Sequence, residues 1–149
     1  MANNQPDSAL QQFTQGVPLC DEAPLFHIDN QGGWFYRNEP LPDKFCRLFA
    51  TILHLTPEGY LLMTPVEKVR VDVAEFPFII NDYEETQDGN FILISSIGTQ
   101  FQLAGRDAFV VDEAAISVSL GRGLSAKLGR ACYYRFIEQY LLNPEGDVK

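Results

Sequence analysis

A glycine-rich segment with basic side chains is the strongest candidate for ligand binding in this sequence. Residues 121–127 read Gly-Arg-Gly-Leu-Ser-Ala-Lys, follow a predicted strand and, on our interpretation, open the last helix with Ser125 as its N-cap. Free backbone N–H groups at a helix N-terminus attract anions, and nearby basic side chains strengthen that attraction. The segment therefore predicts a site for a small anionic ligand, unless the glycines only form a turn and the basic groups are solvated. The residues of this expected anion site are Arg122, Gly123, Ser125, Lys127 and Arg130.

Glu67 is the best single candidate for a functional carboxylate, and we add it to the expected ligand-binding residues. It lies in the stretch 60–73, an apolar run that breaks at Thr64-Pro65 and resumes as a strand of alternating charged residues and valines. Its parity places Glu67 on the face of the valines. A carboxylate there is paired, rotated outward by a bulge after Pro65, or used chemically.

Charge is distributed unevenly along the second half of the chain. A basic segment over residues 122–135 contains Arg122, Lys127, Arg130 and Arg135 and no acidic residue. An earlier acidic stretch contains Glu75, Asp82, Glu84, Glu85 and Asp88. These two groups of charges pair within the fold, face partner molecules, or are simply solvated, and the sequence leaves all three interpretations open.

The sequence indicates no metal site, no cofactor site and no catalytic set. His27 and His54 are far apart in the sequence, and neither has another metal-ligating residue at a recognised spacing. Cys46 and Cys132 lie on or beside apolar helix stripes and are predicted to be core residues, not nucleophiles.

Hydrophobic periodicity and turn residues predict the elements that must position these side chains. We expect a flexible N-terminal arm over 1–24 with a short helix near 9–13, and two main helices over 43–54 and 125–142. The first helix carries an apolar stripe of Phe45, Leu48, Phe49, Ile52 and Leu53. Period-two patterns and turn residues predict most of the remaining chain to be strands. These predicted strands cover 25–29, 33–37, 68–73, 76–83, 90–95, 99–103, 109–111 and 116–120.

The order of these elements predicts an α+β fold with antiparallel sheets, because most connections are too short for crossovers. Residues 33–53 and 116–142 both read as strand, break and helix. This weak repeat suggests two related lobes, each a small sheet packed on one helix, over 25–73 and 74–149. A strand-rich second lobe closed by a C-terminal helix also has the arrangement of a pleckstrin-homology-like fold, an analogy that carries no function.

Composition limits the classes of function that are plausible. The chain has 149 residues, is 46% hydrophobic and 21% charged, and carries a formal net charge of -9. This charge argues against nonspecific binding to nucleic acid or to anionic membranes. The sequence contains neither a signal-peptide pattern nor a run long enough for a membrane span, so we expect a cytoplasmic protein.

Several segments resemble a proteobacterial family of uncharacterised proteins, the domain-of-unknown-function family 1285. The similarity is carried by residues 34–40, Leu48-Phe49, the run 60–69 and residues 122–130, with Phe76-Pro77-Phe78 at a fitting distance. The resemblance implies an α+β fold with two related helix-plus-sheet motifs and suggests a role in signalling or ligand sensing. Relatives carry a Thr-Asn pair in the central strands, near which Ser95-Ser96 stands here.

These observations favour a non-enzymatic module that senses a small anionic ligand or acts in regulation. The alternative is a protein-protein interaction module that uses the basic helix face or the acidic hairpin. A third reading is an enzyme with Glu67 as acid or base. The oligomeric state is left open by the sequence.

Overall fold

The structure is a computed structural model that describes residues 24–142. The expected N-terminal arm and its short helix near 9–13 lie outside the described residues, apart from Pro24. Residues 143–149, the end of the expected second lobe, also lie outside.

The first half of the described chain forms a mixed six-stranded sheet. Its strands are β1 (Phe26–Ile28), β2 (Trp34–Tyr36), β3 (Glu39–Pro40), β4 (Leu53–Thr56), β5 (Gly59–Met63) and β6 (Lys68–Val73). They are ordered β3-β2-β1-β6-β5-β4, and helix α1 (Asp43–Ala50) connects β3 to β4. β1 and β6 are parallel, and the other neighbouring pairs are antiparallel.

The second half forms another mixed six-stranded sheet, followed by a helix. Its strands are β7 (Phe78–Glu85), β8 (Phe91–Ser95), β9 (Gln100–Leu103), β10 (Phe109–Val111), β11 (Ile116–Gly121) and β12 (Leu124–Leu128). Their order is β10-β11-β12-β7-β8-β9, with β7 and β12 parallel. Helix α2 (Arg130–Phe136) continues as a π-helix over Ile137–Leu142.

The two sheets have the same topology. If six is added to each strand number, the order of the first sheet becomes β9-β8-β7-β12-β11-β10. This is the order of the second sheet read from its opposite edge. The position of α1 is taken in the second sheet by a single 3₁₀ turn, Arg106–Ala108. The two lobes are thus related, but α2 follows the repeat and is not the equivalent of α1. The predicted pairing of 33–53 with 116–142 was therefore wrong in its alignment.

The prediction of two lobes in an α+β fold is confirmed, with one lobe curled into a half-barrel. The sheets are antiparallel except for the pairs β1–β6 and β7–β12. In each case several strands and their connections separate the partners, which is enough chain for the crossover that a parallel pair requires. The pleckstrin-homology comparison stays an analogy.

The first helix is shorter than predicted, and a different face of it is buried. It ends at Ala50, and residues 53–56 form β4. Cys46 and Ala50 contact the core, whereas Phe45 and Leu48 of the predicted apolar stripe are 41% and 58% exposed. The stripe prediction was wrong for these two positions. Their spacing places them on one face of the helix, but the sheet packs against the neighbouring face that carries Cys46 and Ala50.

The last helix starts later than predicted, so the expected helix N-terminus at Ser125 was wrong. Residues 124–128 form β12, in which Leu124, Ala126 and Leu128 are buried. Leucines four residues apart satisfy both a helical period and a strand period of two, so their spacing alone does not separate the alternatives. Ser125 faces Ser119 of β11 as a cross-strand neighbour.

Buried hydrophobic residues of both lobes belong to one cluster. It includes Trp34 and Leu53 from the first sheet, and Ile80, Phe91 and Phe136 from the second half. The two sheets therefore share a core, and the seam between them is a fixed feature that can position side chains from both.

Candidate functional site

An open polar cleft at the seam between the lobes collects the chemistry-bearing side chains. Its volume is about 760 Å³, large enough for a metabolite-sized ligand. The polar and basic residues that line it are Asn30, Gln31, Asn81, Ser96, Lys127 and Arg130. Tyr133 and Tyr134 of α2 add aromatic surface. We call this the interlobe cleft.

The first lobe contributes the tight turn between β1 and β2. The Asp29 carboxylate accepts hydrogen bonds from the backbone N–H groups of Gln31, at 3.0 Å, and Gly33, at 2.8 Å. Such side-chain-to-backbone bonds fix a turn because they satisfy its free N–H groups locally. Asn30 and Gln31 are thereby presented to the cleft on a braced turn.

Gly32 in this turn lies directly against the second lobe. It is buried, has a φ of +82°, and a Cβ at its position would be 2.5 Å from Ser96 Oγ. The Ser96 hydroxyl donates to the Gly32 carbonyl at 3.4 Å. This position needs glycine, both for its left-handed backbone and for the close approach.

The second lobe contributes Asn81 through an irregularity in β7. The register with β8 shifts between Ile80 and Asp82, so Asn81 occupies a β-bulge. The Ile80 carbonyl accepts the Gly129 N–H at 2.8 Å, which joins the bulge to the residue before α2. Bulges re-aim side chains, and this one places Asn81 beside the start of α2.

Lys127 and Arg130 give the interlobe cleft its positive charge. The Lys127 ammonium is 2.6 Å from the Glu75 carboxylate, so part of its charge is compensated. Arg130 is exposed, with its guanidinium 6.0 Å from the Tyr134 ring centroid, and has no carboxylate within salt-bridge distance among residues 24–142. Arg130 is therefore the cleft residue best able to bind an anionic group.

Arg122 and Gly123, by contrast, lie away from the cleft. They form the β11–β12 turn, where the Arg122 guanidinium donates to the carbonyls of Thr51, at 2.6 Å, and Ala50, at 3.3 Å. Its own carbonyl accepts the Leu55 N–H at 3.0 Å. Since the last carbonyls of a helix lack intrahelical partners, Arg122 caps α1 and clamps the two lobes together.

We expect Arg122→Ala to lower the free energy of unfolding by about 1–2 kcal/mol, because hydrogen bonds from a charged donor to the end of α1 are lost. Urea unfolding followed by circular dichroism measures this change. Arg37→Ala is a matched control, since Arg37 and Arg122 have similar positive φ values of 51° and 55°. Equal destabilisation in both variants would contradict the clamp.

Glu67 is exposed and lies in the turn between β5 and β6, outside β6. Its N–H is held by the Thr64 hydroxyl at 3.1 Å and its carbonyl accepts the Thr64 N–H at 2.9 Å. The strand parity expected for it does not apply, because the strand starts at Lys68. Glu67 lines a separate apolar groove beside α1, so the six expected site residues do not form one site.

Two residues of the acidic stretch pair with two of the basic residues within the fold. Besides Glu75 and Lys127, Asp82 accepts a hydrogen bond from Arg135 at 3.1 Å. Arg135 also donates to the Tyr83 carbonyl at 2.6 Å and lies 4.1 Å from the Tyr83 ring centroid. Burial raises the pKa of the Tyr83 hydroxyl, with Arg135 acting in the opposite direction. The first of the three interpretations holds for these pairs.

The histidines and cysteines do not assemble into a metal site in the part of the chain that the structure describes, where no group of three or more ligating residues occurs. His27 contacts Asp72 at 3.0 Å, and His54 contacts the Ile52 carbonyl. Cys46 and Cys132 are buried core residues, as predicted, and burial raises the pKa of both thiols. Within residues 24–142, no helix is both long and apolar enough to span a bilayer.

Sequence reasoning missed most of the polar lining of the interlobe cleft. Asn30 and Gln31 fall between two predicted strands, and Asn81 falls within another. Ser96 was noted only as part of Ser95-Ser96, without a predicted role. These side chains are distant in sequence, so only the packing of the two lobes brings them together.

Comparisons with known proteins agree with the architecture. Residues 18–76 match the family model for the N-terminal domain of the domain of unknown function DUF1285. A comparison with curated proteins gives no significant match. A DUF1285 family protein from Silicibacter pomeroyi DSS-3 is 28% identical, with a TM-score of 0.68 over 83% of this chain and 72% of that chain.

A crystal structure of a DUF1285 family protein from Shewanella baltica OS155 is more similar in sequence. It is 42% identical, with a TM-score of 0.73, and the match covers 80% of this chain and 95% of that chain. Because this identity extends over nearly the whole of that solved chain, the protein described here belongs to the DUF1285 family.

Proposed function

We propose that this protein is a non-enzymatic module that binds a small anionic ligand in the interlobe cleft. The observation that carries the proposal is the position of Arg130, a basic side chain without a carboxylate partner in residues 24–142, at a cleft lined by amide and hydroxyl groups. Amides and hydroxyls orient a polar ligand, and a guanidinium supplies charged, directional hydrogen bonds to carboxylates or phosphates.

We infer a sensing role because residues from both lobes line the interlobe cleft. Asn30 and Gln31 belong to the first lobe, whereas Asn81, Lys127 and Arg130 belong to the second. A ligand that contacts both sets stabilises the packed arrangement of the two lobes, because it binds that arrangement and not the unfolded chain. This added stability at the seam is the change that we propose a regulatory partner detects. The buried free thiols Cys46 and Cys132 suit the reducing cytoplasm in which we place this role.

The protein-interaction alternative has less support from the geometry. Arg135 of the basic helix face and Asp82 of the acidic hairpin bind each other, and Glu85 accepts a hydrogen bond from Tyr140 at 2.6 Å. Charges that are already paired within the fold offer less to a partner. The enzymatic reading requires Glu67 to meet a reacting group, but Glu67 lies at the apolar groove, away from the cleft.

The test is a thermal-shift and calorimetry screen of purified protein against inorganic phosphate, nucleoside phosphates and dicarboxylates. A ligand at about 100 times its dissociation constant adds roughly 2.7 kcal/mol to the free energy of unfolding. For a ligand that raises the melting temperature, we expect Arg130→Ala to weaken binding about tenfold or more, since charged hydrogen bonds contribute about 1.5–3 kcal/mol.

Arg106→Ala is the matched control for Arg130→Ala. Arg106 is also exposed and stacks near a tyrosine, with its guanidinium 5.3 Å from the Tyr140 ring centroid, but it does not line the interlobe cleft. The proposal is supported if Arg130→Ala loses affinity while Arg106→Ala binds as wild type does. It is contradicted if no member of the panel binds, if Arg130→Ala binds as wild type does, or if both variants lose binding equally through the shared loss of a positive charge.

A further inference from the structure

A second concave surface, the apolar groove beside α1, is chemically unlike the interlobe cleft. It has a volume of about 650 Å³ and lies between α1 and the strands β1, β2, β5 and β6. Its walls are largely apolar and include Leu25, Tyr36, Leu41, Phe45, Phe49 and Ile52. A groove of this composition favours an apolar occupant with little hydrogen-bonding demand.

Helix α1 leaves large apolar side chains exposed beside this groove. Phe45 is 41% exposed, Leu48 is 58% exposed, and Tyr36 of β2 is 36% exposed. Tyr36 and Phe45 both line the groove, and exposed apolar side chains around an apolar groove are unusual on a monomer unless something covers them, because each forgoes the free energy of burial.

The chain itself supplies a segment at the edge of the groove. Leu25, one residue after the start of the described structure, lines the groove, so residues 1–23 enter the molecule at this place. A segment of that length spans up to about 75 Å when extended, at roughly 3.3 Å per residue, and reaches every part of the groove. Tethering also gives it a high effective concentration.

The sequence of this segment suits the groove in both polarity and charge. Leu10 and Phe13 are spaced by three residues and lie on one face of the short helix expected near 9–13. Residues 1–23 contain Asp7, Asp21 and Glu22 but no lysine or arginine. On the rim of the groove, the Arg37 guanidinium is 5.4 Å from the Tyr36 ring centroid and the Lys44 ammonium is 5.3 Å from that of Phe45.

From this combination we infer that residues 1–23 bind back onto the apolar groove, with Leu10 and Phe13 inserted beside Phe45 and Phe49. The acidic residues of the segment then lie near the basic rim. The groove is an intramolecular docking site, distinct from the anion-binding cleft.

The test uses the full chain with a nitroxide at position 12, introduced as Gln12→Cys with Cys20→Ser. Cys46 and Cys132 are 2% and 3% exposed, so labelling is directed to position 12. We expect selective broadening of the amide NMR signals of Phe45, Phe49 and Ile52. We also expect loss of that broadening when Leu10→Asp and Phe13→Asp are added. Gln11→Glu with Asn4→Asp adds the same charge without removing an apolar side chain and should preserve the broadening.

Two results would overturn the inference. One is broadening that is spread evenly over both lobes, or that survives Leu10→Asp and Phe13→Asp. The other is broadening that transfers fully to an isotope-labelled, untagged chain when it is mixed with an unlabelled, tagged chain, since the groove would then bind a second copy.

Discussion

Phe136→Ala is expected to lower the free energy of unfolding by about 3–5 kcal/mol, the usual cost of truncating a fully buried phenylalanine. Phe136 is 2% exposed and joins α2 to the second sheet. Its ring centroid lies 4.7 Å from that of Phe109, 4.8 Å from Tyr140 and 6.1 Å from Tyr83. The loss removes both buried area and these aromatic contacts.

Chemical unfolding in urea, followed by near- and far-ultraviolet circular dichroism, measures this effect. Leu141→Ala is the control, because Leu141 lies on the π-helical continuation and is 43% exposed, so its truncation should change stability by less than about 0.5 kcal/mol. A similar change in the two variants would mean that α2 is not held to the sheet by Phe136.

The same variant connects packing to the proposed function. Arg130, Tyr133 and Tyr134 line the interlobe cleft from α2, so a helix that detaches from the sheet no longer presents them. For any ligand found in the screen, Phe136→Ala should weaken binding even though Phe136 does not itself line the cleft.

Gly32→Ala is expected to lower the free energy of unfolding by about 2–4 kcal/mol, through backbone strain at positive φ and overpacking at the seam. Its new Cβ would lie 2.5 Å from Ser96 Oγ and 3.0 Å from Ile79 Cγ1. Since Asn30 and Gln31 are on the same turn, the strain should also disturb the first-lobe side of the cleft. Differential scanning calorimetry and urea unfolding measure the stability change.

Gly89→Ala separates the cost of backbone strain from the cost of overpacking. Gly89 has a φ of +85°, close to the +82° of Gly32, but a Cβ there would meet nothing within 4 Å. It should therefore show only the backbone cost, about 1–2 kcal/mol. Adding Ser96→Ala to Gly32→Ala should recover part of the lost stability. If Gly32→Ala and Gly89→Ala were equally destabilised, the close approach of the lobes at Gly32 would have no energetic consequence.

Most strands could be predicted because their signal is local. Residues 68–73 alternate between charged residues and valines, and the observed strand covers the same residues. Residues 109–111 are also a strand, as predicted. Gly89 and Gly98 lie in hairpin turns at positive φ, a conformation that glycine adopts without steric cost.

The wrong predictions concern two kinds of segment. In one, the hydrophobic pattern fits both a helix and a strand. In the other, the neighbouring sheet decides which face of a helix is buried. Leu128 and Cys132 are spaced by four, which suits a helix, yet Leu128 belongs to β12 because that strand pairs with β7 and β11. Phe45 and Leu48 form a helical stripe, yet Cys46 and Ala50 face the core, because the sheet lies on the side of the small residues.

By itself the sequence determined the α+β class, the order of most elements, the two lobes and the basic character of residues 122–130. All of these follow from backbone preference, residue type and periodicity, which act between neighbours in the chain. Only the tertiary structure decided that Arg122 clamps α1, that Arg130 lines the same cleft as Asn30 and Gln31, and that an apolar groove lies beside α1. Those arrangements depend on which surfaces pack together, and contacts between residues far apart in the chain leave no periodic trace in it.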